Sequence, residues 1–372
     1  MNNKPVIIDL FSGCGGFGLG AELAGFHTVV AVDNDETLQS AYKINFPNTK
    51  TITQDITTIV KEDWQTILNG QEVDGVIGGP PCQGYSRIGL GNKDDPRREL
   101  LIDFFRHVNI LQPKFFVMEN VEGLLDEKNK AQLDKAIKTI DPKYTVLEPM
   151  VIDATHCGAP TKRKRIIVIG YDPKRLRPLQ MNDFLFDEDF VNVFDAISDL
   201  PEPIKQSKDK NDFGFASYKA GNKISKYAKN MRAIPSDFLG ADFAIEKLTQ
   251  KMVSGSFDTI HTRIVQQRYQ AVEPGKIDKV SRSKKLSWDG FCPTLRAGTG
   301  PSNGSHQAVR PLHPEQGRVI TVREAARLQG FPDWFVFHPA KWHSFRMIGN
   351  SVSPIVSEKI LKVVYKKLKD VI

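Results

Sequence analysis

Val6-Ile7-Ile8-Asp9-Leu10-Phe11-Ser12-Gly13-Cys14-Gly15-Gly16-Phe17-Gly18 is an apolar run that turns directly into glycine. Gly13-x-Gly15-x-x-Gly18 placed there predicts a strand, a tight turn and a helix. Glycines let the backbone approach a bound nucleotide closely. Asp33 closes the following apolar run, Thr28 to Val32, where a carboxylate suits ribose hydroxyls. Taken alone, these features fit several nucleotide sites. A nicotinamide-dependent dehydrogenase would carry them equally well.

Further along, Val73 to Ile77, Phe115 to Met118, Thr145 to Val151 and Ile166 to Ile169 are short apolar runs. Between them lie segments of helical spacing, such as Leu100, Phe104, Phe105, Val108 and Leu111. This alternation predicts an α/β fold with a doubly wound, mostly parallel sheet. After Tyr171 the rhythm gives way to a lysine-, glycine- and serine-rich segment, and it returns after Pro354 in the helical pattern of Ile355, Val356, Ile360, Val363, Val364, Leu368 and Val371. The expected division is therefore a catalytic part, residues 1–178 plus 346–372, and a smaller part, residues 179–345. The final helix is expected to pack back on the first part.

Chemistry concentrates at the ends of the runs. Gly78-Gly79-Pro80-Pro81-Cys82 places a thiol behind two prolines, which stiffen the backbone and aim the side chain. Glu119-Asn120-Val121 follows the Phe115 run, and Arg163-Lys164-Arg165 precedes the Ile166 run. If these ends share one crevice, a thiol, a carboxylate and two guanidiniums converge. Gly84 to Arg98, with Gly84, Gly89 and Gly91 as hinges and Ser86, Arg87 and Arg97 as polar contacts, is long enough to close over that crevice.

Together with Gly349-Asn350-Ser351-Val352 and the block Arg323 to Asp333, and in this order along the chain, these motifs resemble the DNA (cytosine-5) methyltransferase family. The resemblance implies a Rossmann-like fold, S-adenosyl-L-methionine as cofactor, and double-stranded DNA as partner. It also implies a target-recognition role for the smaller part. Cys82 would be the nucleophile that adds to C6 of a flipped cytosine, with Glu119 at the base's N3 edge and Arg165 and Arg163 as an electrostatic clamp. Phe11, Gly13, Gly15, Asp33, Asp55, Pro81, Leu100, Asn350 and Val352 would form the cofactor pocket. Arg296, Thr299, Ser302 and Asn303 follow Cys292-Pro293-Thr294-Leu295 and would reach base edges. Two positions depart from the family pattern: Asp33 stands where glutamate is usual, and Thr161 where glutamine is usual. The family's transfer-RNA-modifying branch shares the catalytic motifs and is the alternative reading.

The 372 residues carry a net charge of +7, compatible with a polyanionic partner. Lysines and arginines crowd Lys205 to Arg232, which fits a solvated surface as well as phosphate contact, and again Lys276, Lys279, Arg282, Lys284 and Lys285, which are expected phosphate contacts. The four cysteines, Cys14, Cys82, Cys157 and Cys292, form no metal or disulfide spacing. No bound metal is expected. No apolar run approaches the ~20 residues of a membrane span. A cytoplasmic, monomeric enzyme is the expectation, with any cognate restriction endonuclease acting as a separate protein.

Overall fold

The computed structural model describes residues 4–81, 99–221, 224–235, 238–297 and 310–369. Cys82, Ser86, Arg87, Arg97, Thr299, Ser302 and Asn303 lie outside the described residues. In chain order the first half gives β1 (Val6–Leu10), α1 (Gly16–Ala24), β2 (His27–Asp33), α2 (Glu36–Asn45), β3 (Lys50–Thr53), α3 (Lys61–Leu68) and β4 (Gly75–Gly78). There follow α4 (Leu100–Leu111), β5 (Phe115–Val121), α5 (Glu127–Ile137), β6 (Thr145–Val146), β7 (Met150–Asp153), β8 (Thr161–Lys162) and β9 (Lys164–Tyr171). The second half contributes α6 (Val193–Ile197), β10 (Ala216–Ser217), α7 (Lys226–Met231), α8 (Asp242–Thr249), β11 (Met252–Val253) and α9 (Arg263–Ala271). It ends with β12 (Cys292–Pro293), α10 (Val322–Gln329), α11 (Lys341–Asn350) and α12 (Pro354–Lys369).

The main sheet runs β3-β2-β1-β4-β5-β9-β6, with β7 also on β9. The β1, β2, β3, β4 and β5 pairings are parallel, and those to β9 are antiparallel. From β1 the chain winds outward through β2 and β3, then returns to place β4 on the other side. The strand order therefore switches beside β1, and a crevice opens at the carboxyl ends of β1 and β4. The expected single strand through Thr145 to Val151 is instead two short ones, because Pro149 between them lacks an N–H for the ladder.

Apolar residues of the strands divide between the two faces of the sheet. Ile8, Leu10, Val76, Phe116 and Val168 pack with Phe104, Phe105 and Val108 of α4. Ile7, Ile77, Phe115, Val117 and Ile167 pack with Phe17 of α1 and Val356, Ile360 and Val364 of α12. The last helix thus returns to the sheet as its spacing predicts.

A further cluster joins Cys14, Leu19, Tyr42 and Phe46 to Ile320, Ala325, Ala326, Leu328, Phe331 and Phe335. Residues around α10 therefore share a core with the elements that carry the glycine loop. Helix α10 begins with a reciprocal cap, in which Thr321 Oγ1 accepts from Glu324 N at 3.2 Å and the Glu324 carboxylate accepts from Thr321 N at 2.7 Å. Its arginines are buried as well as its alanines, which the sequence did not reveal. Arg327 donates to both oxygens of Asp333 at 2.6 Å and to Asp199 at 3.1 and 3.2 Å. Arg323 donates to the Ser254, Pro332 and Phe335 carbonyls. Full pairing offsets the desolvation that burying a guanidinium entails.

Candidate active site

The chain leaves β1 through Phe11, whose φ of +55° is a left-handed conformation that an aromatic residue adopts only at a penalty of roughly 1–3 kcal/mol. Gly13 follows at φ +56°, and a Cβ built there would meet nothing within 4 Å. The loop therefore presents open space over its backbone. Beneath it, Asp33 at the end of β2 accepts from Gly13 N at 2.8 Å and from Asp35 N at 2.9 Å. Asp9 is 1% exposed, and its only hydrogen-bond partner among the described side chains is the Tyr42 hydroxyl at 3.4 Å. Burial holds its carboxyl well above the usual range.

The opposite wall comes from the far end of the chain. Val352 O lies where a Gly16 Cβ would stand, at 2.4 Å, so only glycine lets the Asn350–Val352 turn close on the start of α1. Gly15 caps that helix in a left-handed conformation. Ser351 Oγ meets the Cys14 sulfur at 3.0 Å, and Gln329 donates to Ser351 O at 3.0 Å. Asn350 ends α11 with its side chain exposed, and Val352 is half-buried. The structure thus holds Asp33 against Gly13 and Val352 against Gly16, with Phe11 and Gly15 in the same loop.

Asp55 caps the turn Ile56–Thr58, accepting from Thr57 N at 2.9 Å and Thr57 Oγ1 at 2.8 Å. Two residues that sequence reasoning missed hold this turn from α4. Trp64 Nε1 donates to His107 Nδ1 at 2.8 Å, which leaves the His107 proton on Nε2, 3.0 Å from the Ile56 carbonyl. Burial pushes His107 down to about 4, so the ring is neutral. Arg106 donates to the Ile56 and Ile59 carbonyls at 3.0 and 2.9 Å. Leu100, half-buried at the start of α4, and the Asp55 turn are consequently linked by one helix. Nothing in the local spacing of Arg106-His107 signals this role, since the partners lie about fifty residues away in sequence.

At the carboxyl end of β5, Glu119 is largely buried and its Oε1 lies 2.9 Å from Arg165 Nε. The N–H is not aligned on that oxygen, so the pair is an ionic contact and Oε1 retains acceptor capacity. Gly79 lies against the same carboxylate, since a Cβ there would be 3.4 Å from Glu119 Oε2. Asn120 donates to Pro80 O at 3.2 Å and accepts from Val121 N at 2.9 Å, which ties the Glu-Asn-Val end of β5 to the turn that leads through half-buried Pro81 into Cys82.

Arg163 differs from Arg165. It is 4% exposed, and its guanidinium donates to Ser351 O at 2.9 Å, Gly349 O at 3.3 Å and Leu295 O at 3.4 Å. These bonds join the opening of β9 to the Asn350–Val352 turn and to the segment after β12. Arg163 therefore ties these segments together, and of the two arginines expected as a clamp only Arg165 faces Glu119. Thr161, fully buried, donates to Cys292 O at 3.3 Å and fastens β12 to β8. Arg296, just beyond, is exposed.

Three thiols are among the described residues, Cys14, Cys157 and Cys292, and all are buried. Burial pushes Cys14 and Cys157 up to about 12 and Cys292 still higher, which makes each a poor thiolate. Lys285 also departs from expectation. Its ammonium is buried and donates to Tyr269 O at 3.3 Å and Gln270 O at 3.0 Å near the end of α9. A lysine capping a helix end in this way is not a phosphate contact.

Residues 6–366 match the family model for C-5 cytosine-specific DNA methylase. The type II methyltransferase M.XorII of Xanthomonas oryzae is 39% identical, with 98% of this chain and 86% of the relative covered. The chain belongs to the C-5 cytosine-specific DNA methylase family. The methylase is also 31% identical to the type II methyltransferase M.DdeI of Desulfomicrobium norvegicum, over 95% of this chain and 87% of the relative. A crystal structure of a protein described as a DNA modification methyltransferase encoded within an E. coli prophage superposes with a TM-score of 0.86 at 41% identity, covering 98% and 99% of the two chains. No helix among the described residues of the methylase is long and apolar enough to cross a membrane.

The Asp33 environment gives the glycine-loop crevice a pH dependence. Burial, opposed by the Gly13 N–H and by Arg346, raises its carboxyl to about 6. A carboxyl whose folded pKa is raised contributes stability that is fully present below its unfolded value of 3.8 and is lost as pH rises through about 6. Ligand hydroxyls that donate to the ionised form reverse this, so ligand affinity rises with pH through that window. Calorimetry with S-adenosylhomocysteine at about pH 5 and about pH 7.5 is expected to show tighter binding at the higher value, and Asp33→Asn is expected to flatten the difference.

Proposed function

We propose that the methylase transfers a methyl group from S-adenosylmethionine to C5 of a flipped cytosine within one short duplex DNA sequence, through a covalent adduct of Cys82 at C6. The observation that carries this reading is the Glu119 and Arg165 pair, set beside the Gly79-Pro80-Pro81 turn at the mouth of the glycine-loop crevice. The open backbone at Gly13, the aromatic Phe11 and the acids Asp33 and Asp55 suit an adenosine-bearing ligand. Asn350, Val352, Pro81 and Leu100 complete its pocket. When bound, that ligand supplies an electrophilic sulfonium methyl.

The residues of the chain supply the rest. Cytosine C5 is a poor nucleophile while its electrons are delocalised in the ring. Thiolate addition at C6 breaks that delocalisation and pushes charge toward N3 and O2. Glu119, taking up a proton when the base is bound, donates it toward N3, and Arg165, in place before reaction begins, stabilises the developing charge. Once C5 carries its methyl group, a base removes the C5 proton, the C6–S bond breaks so that the Cys82 sulfur leaves as thiolate, and the N3 proton returns to Glu119. A base stacked in a duplex cannot reach a thiol in such a crevice, so the target must be flipped out. Ser86, Arg87 and Arg97, which lie outside the described residues, contact the DNA in this reading.

Residues 179–345 act as the recognition part in this reading, with Arg296, Thr299 and Asn303 at base edges. The relatives' names support membership of a type II restriction–modification system. In this reading any cognate endonuclease acts as a separate protein, and the methylase works as a cytoplasmic monomer. Incubation with S-adenosylmethionine and unmethylated genomic DNA, followed by bisulfite sequencing, tests the reading. Methylation is expected at one motif, because each mismatched pair typically weakens recognition by ~1–3 kcal/mol. Methylation of a transfer RNA with none in DNA would overturn the assignment of substrate.

A further inference from the structure

Between α9 and β12 the chain forms a small antiparallel hairpin that the catalytic account does not use. Its arms are joined by the Ile277 and Lys284 bridge and by Lys285 N donating to Lys276 O at 2.8 Å, and Asp278 N donates to Ser283 O at 2.9 Å nearer the tip. The tip is fixed from inside. Asp278, 3% exposed, accepts from Ser281 N at 2.6 Å and pairs with Arg268 of α9 at 3.2 Å. Its negative charge is thereby turned away from the surface.

What remains outward is basic and apolar. Lys276, Lys279 and Arg282 are exposed, and so are Ile277 and Val280, the latter at 69%. Arg282 holds a φ of +61° while its N–H donates to Asp278 O at 2.9 Å. Glycine would take that conformation without the penalty that an L side chain incurs. A guanidinium at a position that favours glycine points to a use for its charge.

The base of the hairpin gives its orientation a meaning. Leu312 N donates to Lys284 O at 2.9 Å and Leu286 N to Leu312 O at 3.0 Å, so the hairpin grows from the chain that returns from residues 298–309, the proposed base-reading loop. A few residues later the same arm enters β12, which pairs with β8 beside Arg163.

We infer that Lys276 to Lys285 is a preformed finger that grips the phosphate backbone of duplex DNA beside the target base. Lys276, Lys279 and Arg282 make the contacts, and Val280 lies against the sugar edge between them. This rests on the DNA reading above. Because the finger is ordered before binding, its contacts need little further ordering of the chain on association.

The test measures equilibrium binding of the full chain to a labelled duplex by anisotropy across a potassium chloride series. Each phosphate contact contributes roughly 0.9 to the slope of log K against log salt, so K276Q/K279Q/R282Q is expected to flatten the slope by about 2 to 3. K205Q/K208Q/K210Q, which alters exposed lysines of the other basic stretch, serves as the control and is expected to change it less. Arg282→Gly separates contact from folding. It is expected to raise Tm, by relief of the backbone, while weakening DNA binding. Equal slopes for the wild type and the hairpin variant, or a stabilised Arg282→Gly protein that binds as tightly as wild type, would overturn the finger while leaving the DNA reading intact. A wild-type protein with no salt-dependent affinity for duplex would overturn both.

Discussion

Cys82→Ala is expected to reduce methyl transfer by more than about 10⁴-fold, the scale on which loss of an enzyme nucleophile acts, while folding and duplex binding persist. The reasoning combines chemistry with exclusion. Unactivated C5 does not attack a sulfonium at a useful rate, so a nucleophile must first add at C6. Cys14, Cys157 and Cys292 are buried with raised thiol pKa values, which removes them from contention. Cys82 follows directly on Pro81, and Asn120 holds the preceding Pro80 carbonyl against the end of β5. Filter binding and thermal melting of the variant separate loss of chemistry from loss of structure. Substantial turnover by a folded Cys82→Ala protein would contradict the covalent route.

Glu119→Gln has the next largest expected effect, a fall in kcat of about 10²- to 10⁴-fold, the usual range for a positioned general acid. The amide keeps the size and one acceptor oxygen, but it cannot deliver a proton to N3. It also removes the charge that Arg165 faces at 2.9 Å. Single-turnover rates at saturating DNA and cofactor isolate the chemical step. A variant that instead showed unchanged kcat with weakened DNA affinity would reduce Glu119 to a binding residue. Arg165→Ala is expected to lower the same rate, whereas Arg163→Ala is expected also to lower Tm, because its three carbonyl partners on separate segments would lose their donor.

Sequence alone carried the parallel core, the glycine loop and the approach of Gly79, Glu119 and Arg165 to one another, because each depends on local periodicity or on residues adjacent in the chain. The convergence itself was reached through an incomplete argument. Parallel strands bring carboxyl ends together, yet Arg165 stands near the amino end of β9. It reaches Glu119 only because β9 runs antiparallel to β5, with Val121 opposite Arg165. Strand direction is set by connections and packing over long distances, and the pattern of an apolar run does not record it. The same limit hid the split between Arg163 and Arg165, whose local contexts are nearly alike while their partners lie more than a hundred residues apart or across the sheet. Lys285 reads as one more surface lysine in a basic run, although its place opposite Leu312 turns it inward to cap α9. Arg106 and His107 were equally silent, since only the packing of α4 against the Asp55 turn gives them partners.

Covalent trapping tests the central claim most directly. A duplex bearing 5-fluorocytosine at the mapped target has no C5 proton to lose, so elimination stalls once the methyl group is in place. The wild-type methylase with S-adenosylmethionine is expected to form a complex that survives denaturation. Digestion and mass spectrometry should then place the methylated, fluorinated base on the peptide that contains Cys82, with no complex formed by Cys82→Ala. Rapid methylation of the ordinary duplex with no adduct on the fluorinated one, or an adduct through any other residue, would contradict the mechanism.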